Sequence, residues 1–250
     1  MTTLVVGATG MTGRSLVEQL LSRNHNVRVI VRSPQKFSDE ILNHPNLTVI
    51  EASILDLSDD EMAAQVKDCT AVVSCLGHLL NLNGIFGNPR RLCADATQRL
   101  CDAIERNSSA ELTKFILMNT VGVQNPDLDE KRAWFERALL TLLHHTLPPH
   151  RDNETAVEYL FRNIERDNKH IEWCSVRPDS LTNAQVSPYE ITESPTTGLF
   201  TGRPTSRSNV AHFMTELIES VELWSTWKFR MPVIMNLKEI SQSISDCSPT

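Results

Sequence analysis

An α/β fold built on a doubly wound parallel sheet is what this sequence predicts, on three observations. Short β-branched runs alternate with longer segments of helical period. Each run is apolar along its whole length, as a strand covered on both faces must be. Three of the nine glycines fall within the first thirteen residues, at the first strand-to-helix turn. A chain of 250 residues, 40% hydrophobic and 22% charged, is long enough to bury a substantial core.

Taken in order, Leu4–Val6, Val27–Val31, Leu47–Ile50, Ala71–Cys75 and Phe115–Met118 are the first five expected strands. Leu92, Ala96, Leu100 and Ile104 recur at fourfold spacing, which puts them on one helix face packed against the sheet. Trp134, Phe135, Ala138, Leu139, Leu142 and Leu143 form a strongly apolar helical face. Core packing is its first reading; an active-site cap or a dimer interface are the alternatives. Val157, Leu160, Phe161 and Ile164 mark another helix, Ile171–Val176 a sixth strand, and Val210, Phe213, Met214, Leu217, Ile218 and Val221 one last long helix. Trp224, Trp227 and Phe229 pack the final connection, and Met231–Met235 is a run that closes the sheet.

Two stretches break this rhythm. Residues 78–91 carry Gly84, Gly87 and Pro89 around Ile85 and Phe86 and read as a mobile loop after the fourth strand. Residues 181–207, rich in Ser, Thr and Pro, are too long for an ordinary connection and read as a small C-terminal substrate lobe. Nothing resembles a flexible linker, so residues 1–250 are expected to form a single domain with 181–207 as an insertion.

Thirty-one acidic against twenty-four basic residues leave a formal charge of −7. That field repels phosphate backbones and anionic lipid, so nucleic acid and membrane are not expected partners. No apolar stretch approaches the ~20 residues of a membrane span, and no basic leader precedes the first apolar run. The expectation is a soluble, unprocessed, cytoplasmic protein. Cys69, Cys75, Cys93, Cys101, Cys174 and Cys247 form no CxxC or Cys/His spacing, which points to reduced thiols rather than disulfides or a metal site.

The string Val5-Val6-Gly7-Ala8-Thr9-Gly10-Met11-Thr12-Gly13-Arg14 follows a strand and precedes a helical pattern (Leu16, Val17, Leu20, Leu21). Glycines there allow a tight turn and let a pyrophosphate approach the backbone at the helix N-terminus. Gly7, Ala8, Thr9, Gly10, Met11, Thr12 and Gly13 are therefore candidate cofactor-binding residues. The spacing is GxxGxxG, not the commoner GxGxxG, and the bland alternative is a sharp turn with tight helix packing. The second strand chooses the cofactor, because an acid about 20 positions on holds a ribose 2′-hydroxyl whereas Arg suits a 2′-phosphate. Arg32 stands there, followed by Ser33 and Lys36, and the nearest downstream acid is Asp39. NADP(H) is expected over NAD(H); solvated surface charge is the alternative reading of Arg32 and Lys36.

The opening VVGATGMTGR followed by VIVRSPQK resembles the atypical short-chain dehydrogenase/reductases, especially NmrA-like and biliverdin-reductase-B-like (flavin reductase) members. Leu76-Gly77, Asn119-Thr120, Val176-Arg177-Pro178, and Ser206-Arg207 through Val210-Ala211 fall in family order, so the resemblance covers most of the chain. It implies a Rossmann-like sheet with a small C-terminal substrate lobe. It also implies that Ala52, Ser53 and Ile54 approach the adenine and that Leu76 and Gly77 line the cofactor's ribose and phosphates.

The chain departs from the superfamily at its Tyr-x-x-x-Lys pair. Of the two tyrosines, Tyr159 is followed four places on by Asn163 and Tyr189 by Glu193. Aligned on the helix near Arg151, the Tyr position holds His150, the Lys position Glu154, and the usual serine position Thr120. Thr120 and His150 are the catalytic candidates; Glu154, one helical turn on, raises the imidazole's basicity if the side chains meet. The alternative reading is that His150, after Pro148-Pro149, only starts the helix. Arg177 is a candidate for an anionic substrate group, or a buried Arg holding backbone carbonyls. Two functions follow: an NADPH-dependent oxidoreductase delivering hydride to a small electron-poor acceptor (quinone, flavin or conjugated carbonyl), or an NADP(H)-binding redox sensor acting on a protein partner. Sugar-nucleotide epimerase or dehydratase chemistry is disfavoured by the missing Tyr base.

Overall fold

A computed structural model describes residues 1–78, 81, 85–108, 111–198 and 201–237. Thr2–Val6 (β1), Asn26–Val31 (β2), Leu47–Glu51 (β3), Ala71–Ser74 (β4), Thr113–Met118 (β5) and Ile171–Pro178 (β6) are the six expected parallel strands. Three more short strands are Leu181–Thr182 (β7), Tyr189–Thr192 (β8) and Thr205–Ser206 (β9), and Val233–Asn236 is β10. The sheet runs β3-β2-β1-β4-β5-β6-β10-β8, and β7 pairs with β9 apart from it. Strand order reverses between β1 and β4, the switch point beyond whose carboxyl ends open α/β sheets bind ligands.

Helices Met11–Ser22 (α1), Asp39–Leu42 (α2), Asp59–Val66 (α3), Leu92–Asn107 (α4), Trp134–Thr146 (α5), Pro148–Tyr159 (α6), Arg207–Glu219 (α7) and Val221–Trp227 (α8) connect the strands. The apolar runs alternate their side chains between two buried layers. Val5, Val29, Val73, Ile116 and Val176 face Leu16, Val17 and Leu20 of α1 and Val210, Phe213 and Met214 of α7. Leu4, Val6, Val72, Phe115 and Trp173 face Met62, Leu100, Ile104, Val157 and Leu160 on the other side. No helix among the described residues is long and apolar enough to cross a membrane.

Four expectations change. The sheet is closed by β8, antiparallel to β10, rather than by residues 231–235, because Tyr189–Thr192 of the Ser/Thr-rich stretch adds an edge strand. The last long helix is two: Ser220 interrupts it, and its hydroxyl caps the second helix by accepting from Leu223 N at 3.1 Å, leaving Val221 exposed. The apolar face of α5 does not pack as core. Trp134 is 80%, Phe135 48% and Leu142 57% exposed, and of its apolar residues only Leu140 is buried. Gly84 and Cys247 lie outside the described residues, as does part of the 78–91 loop.

The fourth correction is Arg177. Its side chain is fully buried, with Nε donating to Met231 O (2.8 Å), Nη1 to Val123 O (3.0 Å) and Glu130 Oε1 (2.7 Å), and Nη2 to Glu193 O (3.0 Å). Burial pulls its pKa below the ordinary arginine value, and the Glu130 carboxylate opposes that pull. Four of its five N–H donors are used inside the protein and the side chain is fully buried, so it is a structural fork closed off from a substrate anion. Arg132, also buried, bonds Val121 O at 2.6 Å and lies 3.4 Å from Glu130 Oε2. The network thus fastens the segment after β5 to β6, to Met231 just before β10 and to Glu193 just after β8.

Replacing Arg177 by Met leaves the buried Glu130 carboxylate with only the longer Arg132 contact and the Val123 and Glu193 carbonyls without their donor, and should destabilise the fold by about 3–5 kcal/mol. Urea denaturation checks this, and the Arg177→Met/Glu130→Leu pair should recover much of the loss. A near-wild-type midpoint for the single variant would return Arg177 to the substrate candidates.

Candidate functional site

Gly7 turns the chain out of β1 with φ +71°, a conformation that side chains rarely adopt, and a Cβ there would lie 2.5 Å from the carbonyl carbon of Cys75 at the end of β4. A Cβ on Gly13 would collide with the Gly7 carbonyl. These two glycines are therefore demanded by the fold itself. Gly10 is different. A Cβ there would meet only the Gly7 carbonyl oxygen, at 3.2 Å, and faces open space otherwise. Gly10 is also the N-cap of α1, with no side-chain cap and no acid in the first turn. The positive end of the helix and its free amide groups are left for an external anion, and the open face at Gly10 fits a pyrophosphate.

β1 and β2 end side by side, Val6 opposite Ile30, so the turn after β2 flanks the glycine loop. Arg32 and Lys36 are exposed and Ser33 half-buried on that turn. Arg14, which sequence reasoning did not single out, reaches across from α1 to donate to the Lys36 carbonyl. Its position directly after Gly13 was the available signal. Three cations thus gather where a 2′-phosphate is expected. Ala52 N donates to Val31 O at 3.0 Å, setting the end of β3 beside β2. Ile54 is buried in the core, whereas Ala52 and Ser53 are only half-buried at that edge. Cys75 and the Leu76 amide pass directly over the Gly7 turn, and a Cβ on Gly77 would touch nothing within 4 Å.

Beyond β5, Asn119 Oδ1 accepts from Thr120 N at 2.8 Å while Asn119 Nδ2 donates to Asn153 O at 3.0 Å, pinning α6 against the strand end. Gly122 lies between Thr120 and His150: a Cβ on it would lie 3.8 Å from Thr120 Cγ2 and 3.5 Å from His150 Cε1. The two catalytic candidates therefore converge, 30 residues apart in the chain. His150 is buried, and its Nε2 lies 3.2 Å from Glu154 Oε1 without hydrogen-bond alignment. Glu154 Oε2 is 2.5 Å from His144 Nδ1. Partial burial disfavours the Glu154 carboxylate, but the two imidazoles outweigh it and hold its pKa below the usual value. Both tyrosines are occupied elsewhere, Tyr159 with Asp102 and Tyr189 with His212, each at 2.8 Å.

Asp152 was also missed. Its buried carboxylate accepts from Cys93 N (2.8 Å) and Ala94 N (2.9 Å) at the start of α4 and bonds His78 Nε2 (2.7 Å), one residue past Gly77. The Cys93 thiol sits 3.6 Å from Leu76 O, its pKa pushed well up by burial. The signal was faint: a lone Asp whose partners lie 58 to 74 residues away.

A family model described as NAD(P)H-binding matches residues 7–220. The chain belongs to this NAD(P)H-binding family. An uncharacterized chloroplastic protein of Arabidopsis thaliana is 31% identical over 117 residues, 47% of this chain and 40% of that protein. The chloroplastic divinyl chlorophyllide a 8-vinyl-reductase of Cucumis sativus is 31% identical over 139 residues, 52% of this chain and 32% of that protein. The chain thus spans 40% or less of the length of these curated relatives. A short-chain dehydrogenase/reductase of Veillonella parvula solved with NADP superposes with a TM-score of 0.68 at 15% identity, covering 94% of each chain. That likeness shows the Rossmann-like fold, and family membership makes NAD(P)H the cofactor class of the chain.

Gly10→Val should abolish NADPH binding while leaving the far-UV circular dichroism unchanged, because the branched side chain fills the open face and not the protein's own packing. Gly13→Val should instead lower the melting temperature. A folded Gly10→Val protein that binds NADPH normally would mean the loop is only a turn.

Proposed function

We propose that the protein is an NADPH-dependent oxidoreductase that passes hydride to a small electron-poor acceptor: a quinone, a flavin or a conjugated carbonyl. The observation that carries this reading is the uncapped α1 end at Gly10 flanked by Arg14, Arg32 and Lys36, with Thr120 and His150 on either side of Gly122 beyond β5. Bound NADPH supplies the hydride. The chain's own part is to seat the pyrophosphate on α1, hold the 2′-phosphate with Arg32, Ser33 and Lys36, and present the Thr120 hydroxyl beside Gly122. An electron-poor, conjugated acceptor suits a site whose tyrosines are bonded elsewhere, since such an acceptor takes hydride without a dedicated phenol acid and its proton comes from solvent or a weak local donor. The vinyl-reductase among the relatives supports reduction as the direction of this chemistry. A reducing, cytoplasmic setting accords with the five cysteines among the described residues, all buried and unbridged.

The same absence of a Tyr/Lys pair favours a second reading, an NADP(H)-binding regulator that signals redox state to a protein partner. NADPH oxidation assayed against a panel of quinones, flavins and conjugated aldehydes, beside cofactor titration without acceptor, separates the two. Turnover of any panel member establishes the enzyme; tight binding with no turnover establishes the sensor.

Cofactor titration should give tighter binding of NADPH than NADH, and Arg32→Ala should remove about 1.5–3 kcal/mol of that preference. Equal affinities in the unmodified protein would sink the assignment. With an accepted substrate at saturating NADPH, His150→Ala and Glu154→Ala should each lower kcat/KM by less than about tenfold, whereas a positioned general acid contributes ~10²–10⁴-fold. A several-hundredfold loss in His150→Ala with cofactor affinity intact makes His150 the proton donor; a large loss in Thr120→Val alone puts the critical hydrogen bond after β5.

A further inference from the structure

Where α5 ends, α6 begins and the chain enters α4, a cavity of about 490 Å³ is lined by Arg90, Arg91, His144, His145 and Arg151, with Asp152 also on its wall. Three guanidiniums and two imidazoles around one hollow run against a chain of formal charge −7. The acids nearby are already committed. Asp152 is held by the α4 amides and His78, and Glu154 by His144 and His150. Asp95 pairs with Arg91 at 3.0 Å, but both side chains are largely exposed, and a pair of that kind is too weak to keep Arg91 from a better anion. Among the described residues the Arg151 guanidinium has no hydrogen-bond or ion-pair partner, and Arg90 uses only Nε, on Phe86 O at 3.3 Å. Guanidiniums brought together in this way repel one another unless an anion sits between them, and their planar forks match the two oxygens of a carboxylate or phosphate.

We propose that this cavity is an anion subsite for a ligand carrying two or more carboxylate or phosphate groups, gripped by Arg90, Arg91 and Arg151. Its place in the fold gives it a use. Asp152 on the cavity wall bonds His78, one residue past Gly77, and on the same helix His150 packs against Gly122. An anion seated here is next to the cofactor edge, so the subsite holds the charged end of the hydride acceptor; that assignment to the acceptor rests on the reductase reading, whereas anion binding does not.

The test has two arms, both on the full chain. In the first, pyrophosphate and citrate are titrated at constant ionic strength while the His144 and His145 ring resonances are followed by NMR. Saturable shifts are expected, weakened at least tenfold in Arg90→Gln/Arg151→Gln and unchanged in Arg162→Gln, an exposed control. Circular dichroism monitors folding, and single Arg151→Gln, expected to weaken binding about threefold or more, serves if the double variant unfolds. Shifts that do not saturate, or that persist undiminished in the arginine variants, would overturn the subsite. In the second arm, KM is compared for a neutral naphthoquinone and its dicarboxylate derivative. A tenfold rise in the double variant for the dicarboxylate alone supports the acceptor assignment. No change in either KM, with pyrophosphate binding still lost, supports the subsite and overturns its assignment to the acceptor in favour of a free anion. If no acceptor is reduced, the reductase reading fails and the NMR arm still decides the subsite.

Discussion

Gly7 and Cys75 approach so closely that no side chain fits between their backbones, and the rest of the structure depends on that contact. It places the end of β1 against the end of β4 at the point where strand order reverses. It forces the chain into a turn that only glycine adopts comfortably, and that turn starts α1 with its free amides directed beyond the sheet edge. Gly13 then lets α1 lie on the Gly7 carbonyl. Two of the three glycines thus serve packing and leave the third, Gly10, with space for a ligand. Packing accounts for Gly7 and Gly13, whereas the packing of the protein itself makes no such demand at Gly10.

A second constraint acts across α6. The Asp152 carboxylate, buried and without exposed surface, would be costly to bury unpaired, and it is stabilised by two amide donors at the start of α4 and by His78. One side chain therefore aligns three segments: the end of β4, the start of α4 and the body of α6. Asn119 does similar work from β5 through Asn153 O. Together they hold α6 against the ends of β4 and β5, with Thr120 and His150 on either side of Gly122. The buried Arg177–Glu130 pair fastens the segment leading to α5 in the same manner.

The exposed apolar face of α5 shows where pattern reading misleads. Trp134, Phe135 and Leu142 have the spacing of a core stripe, yet the buried positions of that helix are Glu136 and Leu140. Periodicity reports that a helix has an apolar face; it does not report whether another element arrives to cover it. The two layers over the main sheet succeed by the same criterion because α1, α4, α6 and α7 all have a strand surface to meet.

By itself the sequence determined the features governed by near neighbours: six parallel strands from β-branched runs, the helices between them from their period, the glycine turn, and the cations after β2. Each depends on residues a few places apart, so composition and spacing carry the information. The tertiary structure alone decided which glycine is free for a ligand, that β8 closes the sheet, that Arg177 is a structural fork, and that His78 meets Asp152 across 74 residues of chain. Those outcomes depend on which distant groups a packed core brings within hydrogen-bond reach, and a polar residue leaves no periodic trace of the partner that burial will require of it.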